Sequence, residues 1–289
     1  MRLNKIQVFG HRGASAYRPE NTLEAFELAF AQGSDAIECD LVPTKDGQLI
    51  IRHDNYLSTT TDVASRPEFA HLAREGEVGW QEKRVDWFCE DFTLEELKQL
   101  RAIERLPELR PGSAKFDGKF EVPSLTELLT ADFARGKHLI LEVKHGAYFA
   151  SRGLPVAAIL ARTLNEVDWR ERGITLTLES FDFKVLEQMQ RVCGPVGEYV
   201  FLVDTWGDPQ LDHTAAVFDG ISFNAVLVWD NEMVAECHAR GLKVFVWTAR
   251  VEEAENTVEE YLARFVHTGA DGIFVDQPDL LRELVAGLA

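Results

Sequence analysis

The chain has 289 residues, of which 46% are hydrophobic and 27% charged, with a formal net charge of −18. This is the profile of a globular enzyme with a sizeable core, and it excludes disordered and fibrous classes. So acidic a surface disfavours nucleic acid and stable adsorption to anionic membrane, because phosphate backbones and lipid headgroups select basic footprints. From the N-terminus, strands are predicted at Ile6–Phe9, Ala36–Leu41, Leu49–Arg52, His138–Val143, Ile174–Leu178, Tyr199–Val203, Gly220–Phe223, Lys243–Trp247 and Gly272–Val275. Amphipathic helices are predicted between most of them, at Thr22–Gln32, Ser124–Arg135, Pro155–Val167, Phe183–Val192, Asn231–Arg240, Val251–Phe265 and Pro278–Leu288. Such alternation signals a parallel sheet covered by helices.

Nine strands are one too many for an eight-stranded barrel. The gap between Leu41 and Leu49 is too short for a parallel crossover, and its Asp46-Gly47 pair signals a turn. Leu49–Arg52 is therefore expected to fold back as a β-hairpin arm, leaving eight parallel strands and a (β/α)8 TIM barrel. An open doubly wound sheet is the alternative. It usually brings a GxGxxG turn, whereas the first turn here reads Gly10-His11-Arg12-Gly13. The region from about 55 to 121, with Trp80, Trp87 and Phe88, is expected to be an inserted subdomain over the barrel mouth of one domain spanning 1–289. Within it, Thr93 and Glu96 form a predicted capping box. The four cysteines are scattered, without metal-ligand spacing, and are expected to be reduced. No apolar leader and no membrane-length run is seen, so a cytoplasmic location is expected.

Reacting groups in a barrel sit at the C-terminal ends of its strands. Those positions carry His11-Arg12, Glu38 and Asp40, Glu142 and Lys144, and Trp247, while the hairpin arm ends in His53-Asp54. Residues two apart share a strand face, so Glu38, Asp40 and Glu142 would converge and repel one another unless a cation neutralised them. An all-carboxylate set suits a hard ion, Mg²⁺ or Ca²⁺, better than zinc. Arg12 and Lys144 could instead neutralise the cluster without a metal. Two histidines beside such a cation and two basic side chains suit acid–base chemistry on a phosphodiester.

His11-Arg12-Gly13-Ala14 followed by Pro19-Glu20-Asn21-Thr22 resembles the opening signature of the glycerophosphodiester phosphodiesterase family. The blocks Ala36–Leu41, Thr44–Gly47, Ile51–Asp54, Leu141–Lys144, Glu179–Asp182, Val246–Thr248 and Asp271–Asp276 resemble its later motifs in order, and the 55–121 region resembles the family's long form. The resemblance implies a TIM barrel that hydrolyses a small-molecule glycerophosphodiester to glycerol 3-phosphate and an alcohol; attack by the neighbouring glycerol hydroxyl, through a cyclic phosphate, is the mechanism expected. It implies His11 and His53 as acid and base, and Glu38, Asp40 and Glu142 as ligands of one Mg²⁺ or Ca²⁺. It also implies Arg12 and Lys144 at the phosphate, Glu20 and Asn21 in support, and Phe181 and Trp247 at the glycerol pocket. Barrel packing is the plainer role for Phe181 and Trp247, and capping of the helix at Thr22 is the plainer role for Glu20 and Asn21. After Val246-Trp247-Thr248 the family usually has Val-Asn, and here Ala249-Arg250 stands. Rival expectations are a phospholipase D-like enzyme acting on lysophospholipids, a glycosidase, and a non-catalytic phosphodiester-binding module.

Overall fold

The computed structural model describes residues 6–78, 82–205, 210–228 and 231–287. Eight parallel strands close on themselves: β1 (Gln7–His11), β2 (Ala36–Pro43), β6 (His138–Val143), β7 (Thr175–Ser180), β8 (Gly197–Val203), β9 (Gly220–Asn224), β10 (Lys243–Ala249) and β11 (Gly272–Val275). β1 pairs in parallel with both β2 and β11, which seals the ring. This is the TIM barrel expected. β2 runs past the barrel wall, and its last residues Leu41–Pro43 pair antiparallel with β3 (Leu49–Ile51). The turn between them needs a positive φ, which Gly47 supplies at 70°. A second antiparallel pair, β4 (Arg74–Val78) with β5 (Glu82–Asp86), lies in the segment joining β3 to β6 and was not foreseen in the sequence.

Strand alternation divides each barrel strand into an inward and an outward row. Inward rows start apolar: Phe9, Ala36, Ile140, Val200, Phe245 and Phe274 form one buried cluster at the lower end. Phe9 meets Phe245 and Phe274 edge to face at 5.0 and 5.1 Å, a favoured geometry for aromatic quadrupoles. Two residues further on, four of these six rows turn to ionisable side chains, His11, Glu38, Glu142 and Asp276, while the other two carry Leu202 and Trp247. Outward rows pack against the helices in two larger buried clusters.

Most helices follow the sequence expectation to within two residues, with two informative exceptions. The helix predicted over Ser124–Arg135 is Leu125–Thr130 only, because Ala131 turns to extended backbone before a short 3-10 turn. The helix predicted over Val251–Phe265 begins at Val258, where Thr257 and Glu260 form a capping box. The capping box at Thr93 and Glu96 forms as expected, on the short helix Leu94–Leu97. Short helices at Gly146–Ser151 and Leu211–Val217 were not foreseen. All four cysteines are free thiols. Among the described residues, no helix is long and apolar enough to cross a membrane.

Candidate active site

The upper end of the barrel opens into a cleft of about 910 Å³ lined by His11, Arg12, Glu38, His53, Glu142 and Lys144, with Phe181 and Trp247 on its wall. The chain reaches it through a sharp turn after β1. Arg12 adopts a left-handed φ of 54°, a conformation uncommon for a long side chain and concentrated at functional sites. Gly13 follows at φ 85°, and a Cβ there would lie 2.6 Å from the backbone of Ala25, so only glycine fits. Helix Leu23–Ala31 follows, capped by the Thr22 side chain, which accepts from the Ala25 N–H. Glu20 and Asn21 therefore do not cap it. Asn21 Nδ2 donates to Asp40 Oδ2 at 2.7 Å, and Glu20 accepts from Arg12 Nη1 at 3.1 and 3.2 Å.

The two histidines are wired alike. His11 Nδ1 lies 2.6 Å from Asp276 Oδ1, and His53 Nδ1 lies 2.7 Å from Asp54 Oδ1. Burial pushes both aspartates up, but their histidine and arginine neighbours outweigh it and hold both carboxyls well below the usual range. An ionised carboxylate only accepts, so each imidazole carries its proton on Nδ1 and turns a basic Nε2 to the other side. Burial foremost, with Arg12 next, lowers His11 to about 4; burial, Arg12 and Lys144 lower His53 to about 3. Both rings are neutral at pH 7.

The same end of the barrel carries Glu38, Asp40 and Glu142, all buried, each with a carboxylate oxygen within 4.8 Å of the others'. Glu38 Oε2 accepts the Arg12 backbone N–H at 3.0 Å, while its buried Oε1 has no hydrogen-bond partner. Lys144 Nζ stands 2.6 Å from Glu142 Oε1 and 3.2 Å from Asp40 Oδ1, and Arg12 Nε 3.2 Å from Asp40 Oδ2. Burial, then Asp40 and Glu142, hold the Glu38 carboxyl well above its usual range. Glu142 is pushed up to about 7, burial outweighing the pull of Lys144. Asp40 goes the other way, because Lys144 and Arg12 together overcome its burial. Two cations thus leave three carboxylates under-neutralised, with Glu38 Oε1 unpaired. That donor set fits a hard divalent ion.

Phe181 and Trp247 meet edge to face at 5.4 Å, and Lys144 Nζ sits 5.2 Å from the Phe181 ring centroid. Both rings line the cleft, and Trp247 also packs against the inner apolar cluster of the barrel, as the plainer expectation had it. Arg250 also lines the cleft, with Nε donating to Asp276 Oδ2 at 3.2 Å. Trp87 and Phe88 turn inward: Phe88 is fully buried, and Trp87 Nε1 donates to the Phe69 carbonyl. Trp80 lies outside the described residues.

Four residues of this site were not singled out in the sequence. Asp54 and Asp276 sat inside recognised blocks without an assigned role. Glu179 is fully buried, lines the cleft and leaves Oε1 unpartnered. Its place two residues before Phe181 on β7 was the signal available. Arg105, which donates to both Glu20 and Asp54, had no such signal.

The model of the glycerophosphoryl diester phosphodiesterase family matches residues 11–280, from the first candidate histidine to the last helix. The chain belongs to that family. A glycerophosphodiester phosphodiesterase of Caldanaerobacter subterraneus subsp. tengcongensis is 29% identical over 295 aligned positions, covering 97% of this chain and 98% of the relative. A solved glycerophosphoryl diester phosphodiesterase structure from Silicibacter pomeroyi superimposes with a TM-score of 0.77 at 25% identity, covering 99% of this chain and 94% of that one. An Oleispira antarctica phosphodiesterase, solved with the product sn-glycerol-3-phosphate, shares the fold with a TM-score of 0.73 at 24% identity, covering 97% and 96%. As a member of this glycerophosphodiester phosphodiesterase family, the protein is a phosphoric diester hydrolase.

Proposed function

We propose that the protein hydrolyses glycerophosphodiesters to glycerol 3-phosphate and an alcohol, with His11 and His53 moving protons on either side of a phosphate held by Arg12 and Lys144. The observation that carries this is the matched wiring of the two imidazoles, each backed by a carboxylate at Nδ1, around one cleft that Arg12, Lys144, Glu38 and Glu142 also line, with Asp40 buried beside them. Glu38, Asp40 and Glu142 would hold one Mg²⁺ or Ca²⁺, which, when bound, withdraws charge from the phosphoryl group and acidifies a neighbouring hydroxyl. Glu20 and Asn21 act behind the site, keeping Arg12 and Asp40 in place. Phe181 and Trp247 offer an apolar wall to the glycerol carbons.

Both histidines are neutral in the free protein, so either is ready to accept a proton. Arg12 and Lys144 are among the causes of that neutrality. A phosphodiester anion drawn between them offsets their charge and lets one imidazole become the acid. In the first step, the glycerol hydroxyl beside the phosphoester attacks phosphorus. One histidine takes its proton, the other protonates the departing alcohol, and a cyclic phosphate forms. Water then opens the ring with the two histidines exchanging roles. Intramolecular attack draws on effective molarities of roughly 10⁵ M or more.

The 55–121 region belongs in this reading to a single barrel domain, as an insertion of the family's long form. Lysophospholipid cleavage has less support, because Trp87 and Phe88, two of the three aromatics expected at an apolar rim, are turned inward; the third, Trp80, lies outside the described residues. A binding module would not need both histidines and all three carboxylates, and no member of that set is missing.

The test is release of glycerol 3-phosphate from glycerophosphocholine, with chelator and then with added Mg²⁺ or Ca²⁺. Release that stops with chelator and returns with one ion supports the reading. Release unaffected by chelator removes the metal from it, and no release from any headgroup diester overturns it.

A further inference from the structure

Residues 104–110 form a short loop in the segment joining β3 to β6, and two arginines enter the site from it. Arg105 donates from Nη1 to Asp54 Oδ2 at 2.7 Å, and grips Glu20 through Nε and Nη2 at 2.9 and 2.8 Å. Arg110 donates from Nη2 to Asp276 Oδ2 at 2.5 Å and from Nε to Glu252 Oε1 at 2.7 Å. The pattern repeats: each aspartate gives Oδ1 to a histidine and Oδ2 to an arginine of this one loop. The loop's apolar side chains do not explain its docking, since Leu106 and Leu109 are 37% and 63% exposed. Its purchase on the barrel at these positions is through the guanidinium groups.

We propose that Arg105 and Arg110 are positioning residues of the hydrolysis, a two-pronged brace by which one loop sets the planes of both imidazoles. A carboxylate bonded at only one oxygen can swing about its Cβ–Cγ bond and take the ring with it. Gripped at both oxygens, it holds the ring's Nε2 on a fixed line. Arg105 has a second duty, because Glu20 also receives Arg12. The brace therefore ties the phosphate-holding arginine to the His53 side as well. Arg250 lends Asp276 a further, longer contact from the barrel.

The proposal presupposes the acid–base roles of His11 and His53, so their alanine variants are assayed first. Arg110→Met is expected to lower kcat by about tenfold or more with KM little changed, the range typical of lost support behind a working side chain. Arg105→Met is expected to lower kcat similarly and raise KM too, since Glu20 and Arg12 loosen with it. In an Asp276→Asn background, Arg110→Met should cost nothing further, because both act through one ring. Nitrogen-15 NMR of the imidazoles should show Arg110→Met moving the His11 signals and leaving those of His53, with Arg105→Met doing the reverse. Arg110→Lys should recover part of the rate, and it carries the test if the methionine variant fails to fold.

If His11→Ala and His53→Ala lose turnover while the arginine variants keep wild-type kcat and unmoved imidazole signals, the brace is overturned and the hydrolytic reading stands. Full additivity of Arg110→Met with Asp276→Asn overturns it as well. If either histidine variant keeps normal turnover, the catalytic reading falls first and the brace with it.

Discussion

The two ends of the barrel are built by the same strands in the same alternation, yet they do opposite work. At the lower end, the inward row closes on Phe9, Ile140, Val200, Phe245 and Phe274, which satisfy one another by contact alone. At the upper end, two residues on, the row carries His11, Glu38 and Glu142, and leaves Glu38 Oε1 and Glu179 Oε1 buried without partners. Folding free energy is gained below and partly given up above. A two-residue period lets a strand carry both duties without compromise, since each inward position is set independently of the next.

The contrast can be broken from either side. Phe245→Ala, at the lower end, is expected to cost about 3–5 kcal/mol of stability, as for a buried aromatic truncated in a core, with near-normal turnover per folded molecule. Urea unfolding alongside an assay of the folded fraction checks it. His11→Ala or His53→Ala, at the upper end, should do the reverse, losing ~10²-fold or more in rate with the melting temperature near wild type. A large loss of stability in the histidine variants would erase the division of labour.

Smaller effects sharpen it. Asp276 is held below its unfolded value of 3.8, so its contribution to stability is complete above that pH and is lost as pH falls through the lower folded value. The stability gap between wild type and Asp276→Asn should accordingly be widest near neutrality and narrow below about pH 4. Denaturant titrations at pH 7 and pH 3 measure it. Smallest of all, Glu38→Gln in metal-free protein should raise the melting temperature by a degree or two, because burial and two carboxylate neighbours disfavour the Glu38 charge. The same variant should bind Mg²⁺ or Ca²⁺ more weakly in calorimetry. A metal-free melting temperature lower than wild type would mean that Glu38 stabilises the site even without an ion.

The barrel was readable because its strands are short runs of Val, Ile and Leu bounded by turn residues; His138–Val143 and Gly272–Val275 match the structure residue for residue. The helix ends are readable where a capping pair marks them, and the Thr257–Glu260 pair marks the start at Val258 that the longer apolar pattern obscures. The β4–β5 ribbon was hidden because its residues are mostly charged, with no alternation to show a face. In the site, position at strand ends exposed His11, Glu38, Asp40 and Glu142. Arg105 and Arg110 could not be found that way. They come from an irregular loop, and their importance lies in partners up to 166 residues distant.

The two histidine–aspartate pairs differ in one further respect. His53 and Asp54 are neighbours in the chain, and their contact needs little beyond the local hairpin. His11 and Asp276 lie 265 positions apart, on the first strand and just after the last, across the seam where β1 meets β11. A growing polypeptide emerging from the ribosome carries the first pair side by side as soon as both residues are made, and can gain the second only after β11 has followed. If His11 works as proposed, turnover during refolding is expected to return only as that seam closes, and stopped-flow recovery of activity set against recovery of strand structure measures it.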